Sequence, residues 1–146
     1  IKERIKELLQ DHNIRYESLI TRSNILERTY NYKVRSISLI MDAHPAEQVV
    51  LIGDDVSADH EVFKTMDEKY PGRVLGAYIR PVKNRAPIYG QVPYVTAFDV
   101  NTTEFAAGRI SLVDYGRITA AVLAGAPAKL LPTFAWCPTE MDGTLL

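Results

Sequence analysis

The sequence predicts an α/β protein built on a parallel sheet with helices packed over it. Three observations carry this prediction. Helical and strand-like segments alternate along most of the chain, the apolar run at residues 49–52 is rich in β-branched side chains, and that run breaks at Gly53 into an acidic stretch. Such alternation is typical of right-handed βαβ units. A continuous apolar run is typical of a strand that is buried on both faces of the sheet.

The apolar periodicity and the turn residues set the order of the elements. We predict helices at residues 1–12, 32–43, 60–69 and 114–123, a further helix starting within 102–107, and strands at 16–21, 49–52, 74–79 and 93–98. Pro45 ends the second helix, because the residue before a proline avoids the helical region. Pro71 and Gly72 end the third helix. Asp114 is the predicted N-cap of the last helix, and Gly125 is its predicted stop.

The composition is that of one ordinary globular domain rather than of a disordered segment. The chain has 146 residues, of which 47% are hydrophobic and 24% charged. We predict a core at residues 1–125 and a tail or packing arm at residues 126–146. The net charge of −1 does not favour nucleic acid as a partner. No apolar run of about 18 residues is present, so we expect no transmembrane helix.

The chain contains one cysteine, Cys137. A single thiol excludes an internal disulfide framework and a cysteine-rich zinc site. It fits a reducing compartment, and we therefore expect a cytoplasmic location. The sequence starts at Ile1 without an initiator methionine, from which we expect the chain to begin partway through a longer protein.

The acidic stretch after the strand at residues 49–52 is the first candidate site. Ligands of open parallel sheets bind beyond the carboxyl ends of the strands, which is where Asp54, Asp55 and Asp59 are predicted to lie. Gly53 permits close approach of the backbone, and paired carboxylates at such a place suit magnesium. Asp59 has an alternative interpretation as the N-cap of the following helix. Lys33 stands at the start of the preceding helix, and a solvated helix end is the alternative there.

A longer pattern joins these residues. Its members are Lys33, Ile37, Ile40, Met41, Pro45, the segment 50–54, Asp59, Pro71, Gly72, Tyr78, Ile79 and Arg80. The pattern resembles the haloacid-dehalogenase-like (HAD) superfamily, and most closely the catalytic domain of the actin-patch-protein phosphatidate phosphatases. The spacing of 21 residues from position 33 to position 54 matches that family without a gap. The resemblance covers about residues 1–123, including 98–111, and is strongest over 33–82.

The resemblance implies a fold and a set of roles. The fold would be a HAD-like, Rossmann-type three-layer parallel sheet that lacks its first strand. Asp54 would bind Mg²⁺ directly, Asp59 would be a second ligand or would hold a ligand in place, and Asp55 would be a further helper. Lys33 would be a catalytic residue that contacts the substrate phosphate and screens charge in the transition state. In such enzymes an aspartate attacks phosphorus, and a phospho-aspartyl intermediate is hydrolysed.

The sequence departs from the family's pattern at the nucleophile. The family's Asp-x-Asp motif lies on the first strand, upstream of all the matched residues, and no such motif precedes Lys33. A related stretch at residues 140–145, Glu-Met-Asp-Gly-Thr-Leu, has Glu140 in the nucleophile position. It has three interpretations: chance similarity, the start of a permuted or second copy, and a degenerate remnant. We do not assign Glu140 as a nucleophile.

Two functions remain open at the level of the sequence. The first is the C-terminal portion of a magnesium-dependent phosphohydrolase, acting on a phosphorylated small molecule or on a lipid phosphate such as phosphatidate, with its nucleophile outside this chain. The second is a catalytically inactive binding or assembly module derived from that fold. Neither is expected to turn over phosphoesters by itself. A sheet without its first strand exposes an edge, so we expect a homo-oligomer or completion by another segment of a longer chain.

Overall fold

The computed structural model of the protein describes residues 2–11, 14–22, 24 and 26–124. The chain divides into two compact units, Ile1–Pro93 and Tyr94–Leu146. Each unit is described by itself below. The predicted boundary between residues 125 and 126, the predicted stop at Gly125, Cys137 and the stretch at residues 140–145 lie outside the described residues.

The described part of the chain contains five helices and three strands, and the first unit, which holds all three of these strands, is an α/β structure, as predicted. In the described chain the helices are α1 (Lys2–Asp11), α2 (Thr29–Ala43), α3 (Asp59–Lys69), α4 (Ala97–Ala106) and α5 (Leu112–Ala124), and the strands are β1 (Val49–Asp54), β2 (Val74–Arg80) and β3 (Val92–Pro93). The strands lie in the order β1-β2-β3, and both neighbouring pairs are parallel. Because α3 connects two adjacent parallel strands, β1-α3-β2 is a βαβ unit.

The core of the first unit lies between the sheet and α3. Val62, Phe63 and Met66 project from α3, where the spacing of one and four residues puts them on one helix face. They pack against Leu51 of β1 and Ile79 of β2. Burial of side chains of this size stabilises the fold by about 1.5–3 kcal/mol each. The predicted apolar face of this helix is therefore confirmed.

The prediction that β1 is buried on both faces is wrong for the described residues. Strand side chains alternate between the two faces of a sheet, and Leu51 points into the core. Its neighbours Val50 and Ile52 are 37% and 56% exposed, and Leu75 of β2 is 37% exposed. The helices that contact this core, α2 and α3, lie on the other face. Within the described residues, β1 is an edge strand with one open apolar face.

A network of polar contacts holds the end of α2 against the start of β2. The Arg73 guanidinium donates to the carbonyl oxygens of Met41, His44 and Glu47 at 3.0, 2.7 and 3.0 Å. The last carbonyls of a helix have no partner within it, so Arg73 satisfies groups that α2 leaves unpaired. The helix ends at Ala43, as the Pro45 argument predicted, but it starts at Thr29 rather than at residue 32.

Four predicted elements differ from the structure, besides the start of α2. The helix predicted to start within residues 102–107 is α4, which starts at Ala97. Residues 16–21 form no strand, because no described segment offers them a ladder of backbone hydrogen bonds. The predicted strand at 93–98 shrinks to β3, because Thr96 and Asp99 form a capping box that starts α4. The last helix starts at Leu112, two residues before its predicted N-cap. The hydroxyl of Ser111 accepts a hydrogen bond from the Asp114 amide at 3.1 Å and thus caps the helix instead.

The second unit pairs α4 with α5 in its described part. The Phe105 ring stacks on the Tyr115 ring at 4.4 Å between centroids, and the Phe98 ring lies 6.2 Å from the same tyrosine. The buried Glu104 carboxylate accepts two hydrogen bonds from the Arg109 guanidinium, at 2.6 and 2.7 Å. Stacked rings and a bidentate ion pair therefore join the two helices and the turn between them.

Candidate functional site

The acidic loop lies at the carboxyl edge of the parallel sheet. Asp54 is the last residue of β1, and its Cα pairs in register with that of Arg80, the last residue of β2. Residues 55–58 then lead directly into α3. The strand ends and the start of α3 therefore meet at one edge, which is where open parallel sheets bind their ligands. The sequence predicted this placement.

Gly53 allows the Asp59 carboxylate to lie directly over the end of β1. A Cβ atom at position 53 would be 2.4 Å from Asp59 Oδ2 and 2.9 Å from Phe63 Cζ. Both distances are too short for real side chains, so only glycine fits at this position. The close backbone approach predicted for Gly53 is confirmed, and its purpose is to admit the carboxylate of Asp59.

Lys33 and Asp59 are brought together from two helices. Lys33 Nζ forms an ion pair with Asp59 Oδ1 and donates to Ser57 Oγ at 3.3 Å. The Lys33 side chain is 31% exposed and that of Asp59 is 7% exposed, so the pair is partly withdrawn from water. Because α2 starts earlier than predicted, Lys33 lies one turn inside the helix. This contact removes the interpretation of Lys33 as a merely solvated helix end.

Asp59 joins the lysine to the strand rather than capping its helix. Its Oδ2 accepts a hydrogen bond from the Asp54 amide at 3.1 Å, while its Oδ1 is paired with Lys33. The N-cap of α3 is Ala58, which makes no side-chain capping bond. The alternative interpretation of Asp59 as a helix cap therefore does not describe its contacts.

We call the carboxyl end of β1 the rim of the site, and Asp54 presents its carboxylate there. Its Oδ1 accepts a hydrogen bond from the Val56 amide at 2.9 Å, which closes a local turn. Its Oδ2 makes no hydrogen bond with any of the residues that the structure describes. Of the three predicted acidic residues, Asp54 thus has the carboxylate oxygen that is most available to a ligand.

Asp55 points away from this rim into a different environment. Its side chain is fully buried. Its Oδ1 accepts from the amides of Val82 and Lys83, both at 2.7 Å, and its Oδ2 accepts from the Arg85 amide at 2.8 Å. Both oxygens are occupied by the segment that follows β2, so this geometry suits an anchor better than a metal ligand.

The environment of Asp55 shifts its acidity. Burial by itself would raise the pKa of this carboxyl, because the charged form loses its hydration. The amide hydrogen bonds from Arg85, Lys83 and Val82, with a smaller contribution from the charge of His60, outweigh burial and hold the pKa below its usual value. Asp55 is therefore a stable buried anion in the folded protein at neutral pH.

Two contacts of the segment after β2 were not found from the sequence. The Arg85 guanidinium donates to the Ser57 carbonyl at 2.9 Å and to the Asp55 carbonyl at 3.3 Å. Buried His60 Nδ1 lies 2.6 Å from Gln91 Oε1, and Gln91 Nε2 donates to the His60 carbonyl at 2.8 Å. The one available signal was position, because the loop at residues 83–91 follows a strand at the carboxyl edge.

The site offers a partial set of ligands for a metal ion. Among the described residues, no group of three or more histidine, cysteine, aspartate or glutamate side chains is arranged to hold one. Magnesium commonly binds one or two protein carboxylates and keeps several waters. The available oxygen of Asp54 therefore fits a magnesium ion that takes its other ligands from solvent, substrate or another segment.

Fold and site together define an α/β protein with a carboxylate rim and a paired lysine at the carboxyl edge of a parallel sheet. The chain belongs to the family described as Phosphatidate phosphatase APP1, catalytic domain, whose model matches residues 3–81. The family resemblance seen in the sequence is thus confirmed over that range. A search of curated proteins gives no match, and a search of solved structures gives none either.

The matched range contains all four predicted site residues and ends just after β2. It lies within the first unit, so the second unit is outside the family match. None of the helices in the described part of the chain is long and apolar enough to span a membrane.

Proposed function

We propose that this chain carries the magnesium- and phosphate-binding part of a HAD-type phosphohydrolase that acts on a lipid phosphate such as phosphatidate. The observation that carries the proposal is the pairing of Lys33 with Asp59, whose second oxygen accepts a hydrogen bond from the Asp54 amide, at the carboxyl edge of the sheet. The substrate class is supported by the family, whose printed description is that of a phosphatidate phosphatase catalytic domain.

Asp54 is the proposed magnesium ligand in this chain. A bound magnesium ion would supply positive charge next to the phosphate oxygens. Asp59 supports the site from behind, because its two oxygens hold the Asp54 amide and the Lys33 ammonium in fixed positions. Asp55 has no direct part in this proposal, since its oxygens are occupied by amides.

Lys33 is the proposed phosphate contact. Its ammonium lies beside Ser57 Oγ, and its side chain keeps 31% of its surface accessible. A positive charge held in advance at the edge of the sheet stabilises charge that develops on a phosphate without further reorganisation. Asp59 fixes where that charge lies, so the pair is expected to act as one unit.

The nucleophilic carboxylate is proposed to come from a strand outside the described residues. The described sheet leaves the outer edge of β1 unpaired, and β1 ends at Asp54. A parallel strand added at that edge would end beside Asp54, because parallel strands place their carboxyl ends at the same edge of a sheet. The three described carboxylates of the site have other parts in this proposal. Asp54 is the proposed magnesium ligand, Asp59 holds Lys33 and the Asp54 amide, and Asp55 accepts hydrogen bonds from the segment after β2.

The first test is magnesium binding. Titration calorimetry of the native chain is expected to give a dissociation constant in the millimolar range or tighter, and Asp54→Asn is expected to weaken it about tenfold or more because one ligand charge is lost. Asparagine keeps the oxygen that accepts from the Val56 amide, so the local turn is preserved. Asp114→Asn in α5 removes the same charge far along the chain and is expected to leave binding unchanged.

A second candidate function is supported by one observation. Protein donors occupy both carboxylate oxygens of Asp55 and of Asp59, which suits a non-catalytic binding or assembly module. Phosphate release from phosphatidate in detergent micelles distinguishes the two functions when it is measured on a longer chain that includes the proposed nucleophilic strand, because the described residues are not expected to turn over phosphoesters by themselves. Magnesium-dependent release that Asp54→Asn abolishes supports the enzyme. Equal magnesium binding by the native chain and Asp54→Asn, with no release, would leave the module as the better description.

A further inference from the structure

The segment at residues 82–85 wraps around the buried carboxylate of Asp55. Three amides of this short segment, those of Val82, Lys83 and Arg85, donate to it at 2.7 to 2.8 Å. Asn84 has a φ of 56°, a left-handed conformation that asparagine tolerates better than most residues. This conformation lets successive amides converge on one anion, as they do in anion-binding backbone turns.

The contact is reciprocal, because the same segment returns a cation to the loop that supplies the carboxylate. The Arg85 guanidinium donates to the carbonyls of Asp55 and Ser57 at 3.3 and 2.9 Å, and its outer end pairs with Glu61 at 3.0 Å. Residues 55–57 thus supply a carboxylate and two carbonyls, and residues 82–85 supply the three amides and the guanidinium that donate to them. We call this set of contacts the Asp55–Arg85 clasp.

The clasp contacts the loop at residues 55–58, which lies between Asp54 and Asp59 of the proposed site. Ser57, whose carbonyl Arg85 holds, also accepts a hydrogen bond from Lys33 through its hydroxyl. Asp59, which pairs with Lys33, starts α3 two residues later. The loop at residues 55–58 is a short turn between β1 and α3, and the clasp holds this turn from outside through the contacts of Asp55 and of the Ser57 carbonyl.

We infer that Asp55 and Arg85 are positioning residues, which set the conformation of residues 55–58 and thereby the relative placement of Asp54 and Lys33 for magnesium and phosphate. The inference rests on the proposed function for what the loop binds. It adds that the segment after β2 belongs to the working site. Removal of the clasp weakens binding at Asp54 although neither Asp55 nor Arg85 touches the ligand.

The experiment compares Arg85→Met with Glu61→Gln. Methionine retains most of the length of the side chain but has no donors, and the Arg85 side chain is 42% exposed, so the fold is expected to survive. Glu61→Gln removes the charge of the surface ion pair and leaves the carbonyl contacts of Arg85 in place. Hydrogen exchange at the Asp54 and Val56 amides and calorimetric magnesium binding are measured on the full chain, with thermal unfolding as a check of the fold.

Arg85→Met is expected to speed exchange at the amides of Asp54 and Val56 about tenfold and to raise the magnesium dissociation constant by a similar factor, since two hydrogen bonds to the loop are lost. Glu61→Gln is expected to change neither quantity by more than about twofold. Unchanged exchange in Arg85→Met overturns the inference. So does faster exchange together with a magnesium affinity equal to that of the native chain, because the clasp would then be merely structural.

Failure of the proposed function gives a different result. If the native chain binds no magnesium, the metal site falls. The exchange rates of the Asp54 and Val56 amides still decide whether the clasp sets the loop, because they are measured without metal. The two ideas are thus tested separately on the same samples.

Discussion

Replacement of Gly53 by alanine is expected to destabilise the protein by about 1–3 kcal/mol and to dismantle the candidate site. The new Cβ would stand 2.4 Å from Asp59 Oδ2, 2.8 Å from Asp59 Cγ and 2.9 Å from Phe63 Cζ. Phe63 belongs to the core, and Asp59 is only 5% exposed, so neither side chain has free space to enter. Displacement of Asp59 breaks its contacts with the Asp54 amide and with Lys33.

Denaturant unfolding measures the stability change, and magnesium titration measures the loss of the site. Gly116→Ala is the matched control, because a Cβ at position 116 of α5 meets nothing within 4 Å. There the same substitution is expected to be neutral or to stabilise by up to about 1 kcal/mol, as alanine usually does in helices. Equal effects at positions 53 and 116 would contradict the close-approach argument.

Asp55→Asn is expected to lower stability by about 2–3 kcal/mol at neutral pH. Asparagine retains one acceptor oxygen for two of the three amides, but its NH₂ group then faces the Arg85 amide, and two donors meet where a buried hydrogen bond existed. The lost charge also weakens the bonds that remain. Asp11→Asn removes a carboxylate from an exposed position of α1 and is expected to have little effect.

The same carboxyl predicts how stability depends on pH. Its folded-state pKa is held below its usual value, so its stabilising contribution is fully present above the unfolded pKa of about 4 and is lost as pH falls through the lower folded value. In metal-free denaturant unfolding, the native chain is expected to lose stability below about pH 4, and Asp55→Asn should lose less over that interval. Parallel pH profiles would show that Asp55 does not have the depressed pKa.

The placement of the site could be predicted from the sequence because it depends on local signals. The apolar run before Gly53 defines a strand, Gly53 ends it, and the three acidic residues follow within a few positions. Parallel sheets put such residues at a ligand-binding edge whatever surrounds them. The sequence also predicted the βαβ order and the apolar face of α3, because helical periodicity is a property of the segment itself.

The separate environments of Asp54 and Asp55 could not be read from the sequence. The two residues are adjacent and chemically identical, yet one carboxylate faces the rim and the other is buried among three amides from residues 82–85. Side chains of neighbouring residues point in different directions, and only the folded path of a segment nearly thirty residues away decides which one is buried. The same reason hid Arg85 and the pairing of His60 with Gln91.

The sequence by itself determined the α/β class, the family, the carboxyl-edge position of the acidic loop and the close backbone approach at Gly53. The tertiary structure alone decided that Lys33 reaches Asp59 across two helices, that Asp55 is an anchor, and that one face of β1 is open among the described residues. The division has a physical reason. Periodicity and turn chemistry act between residues close in the chain, whereas burial and ion pairing depend on contacts between segments that are far apart in it.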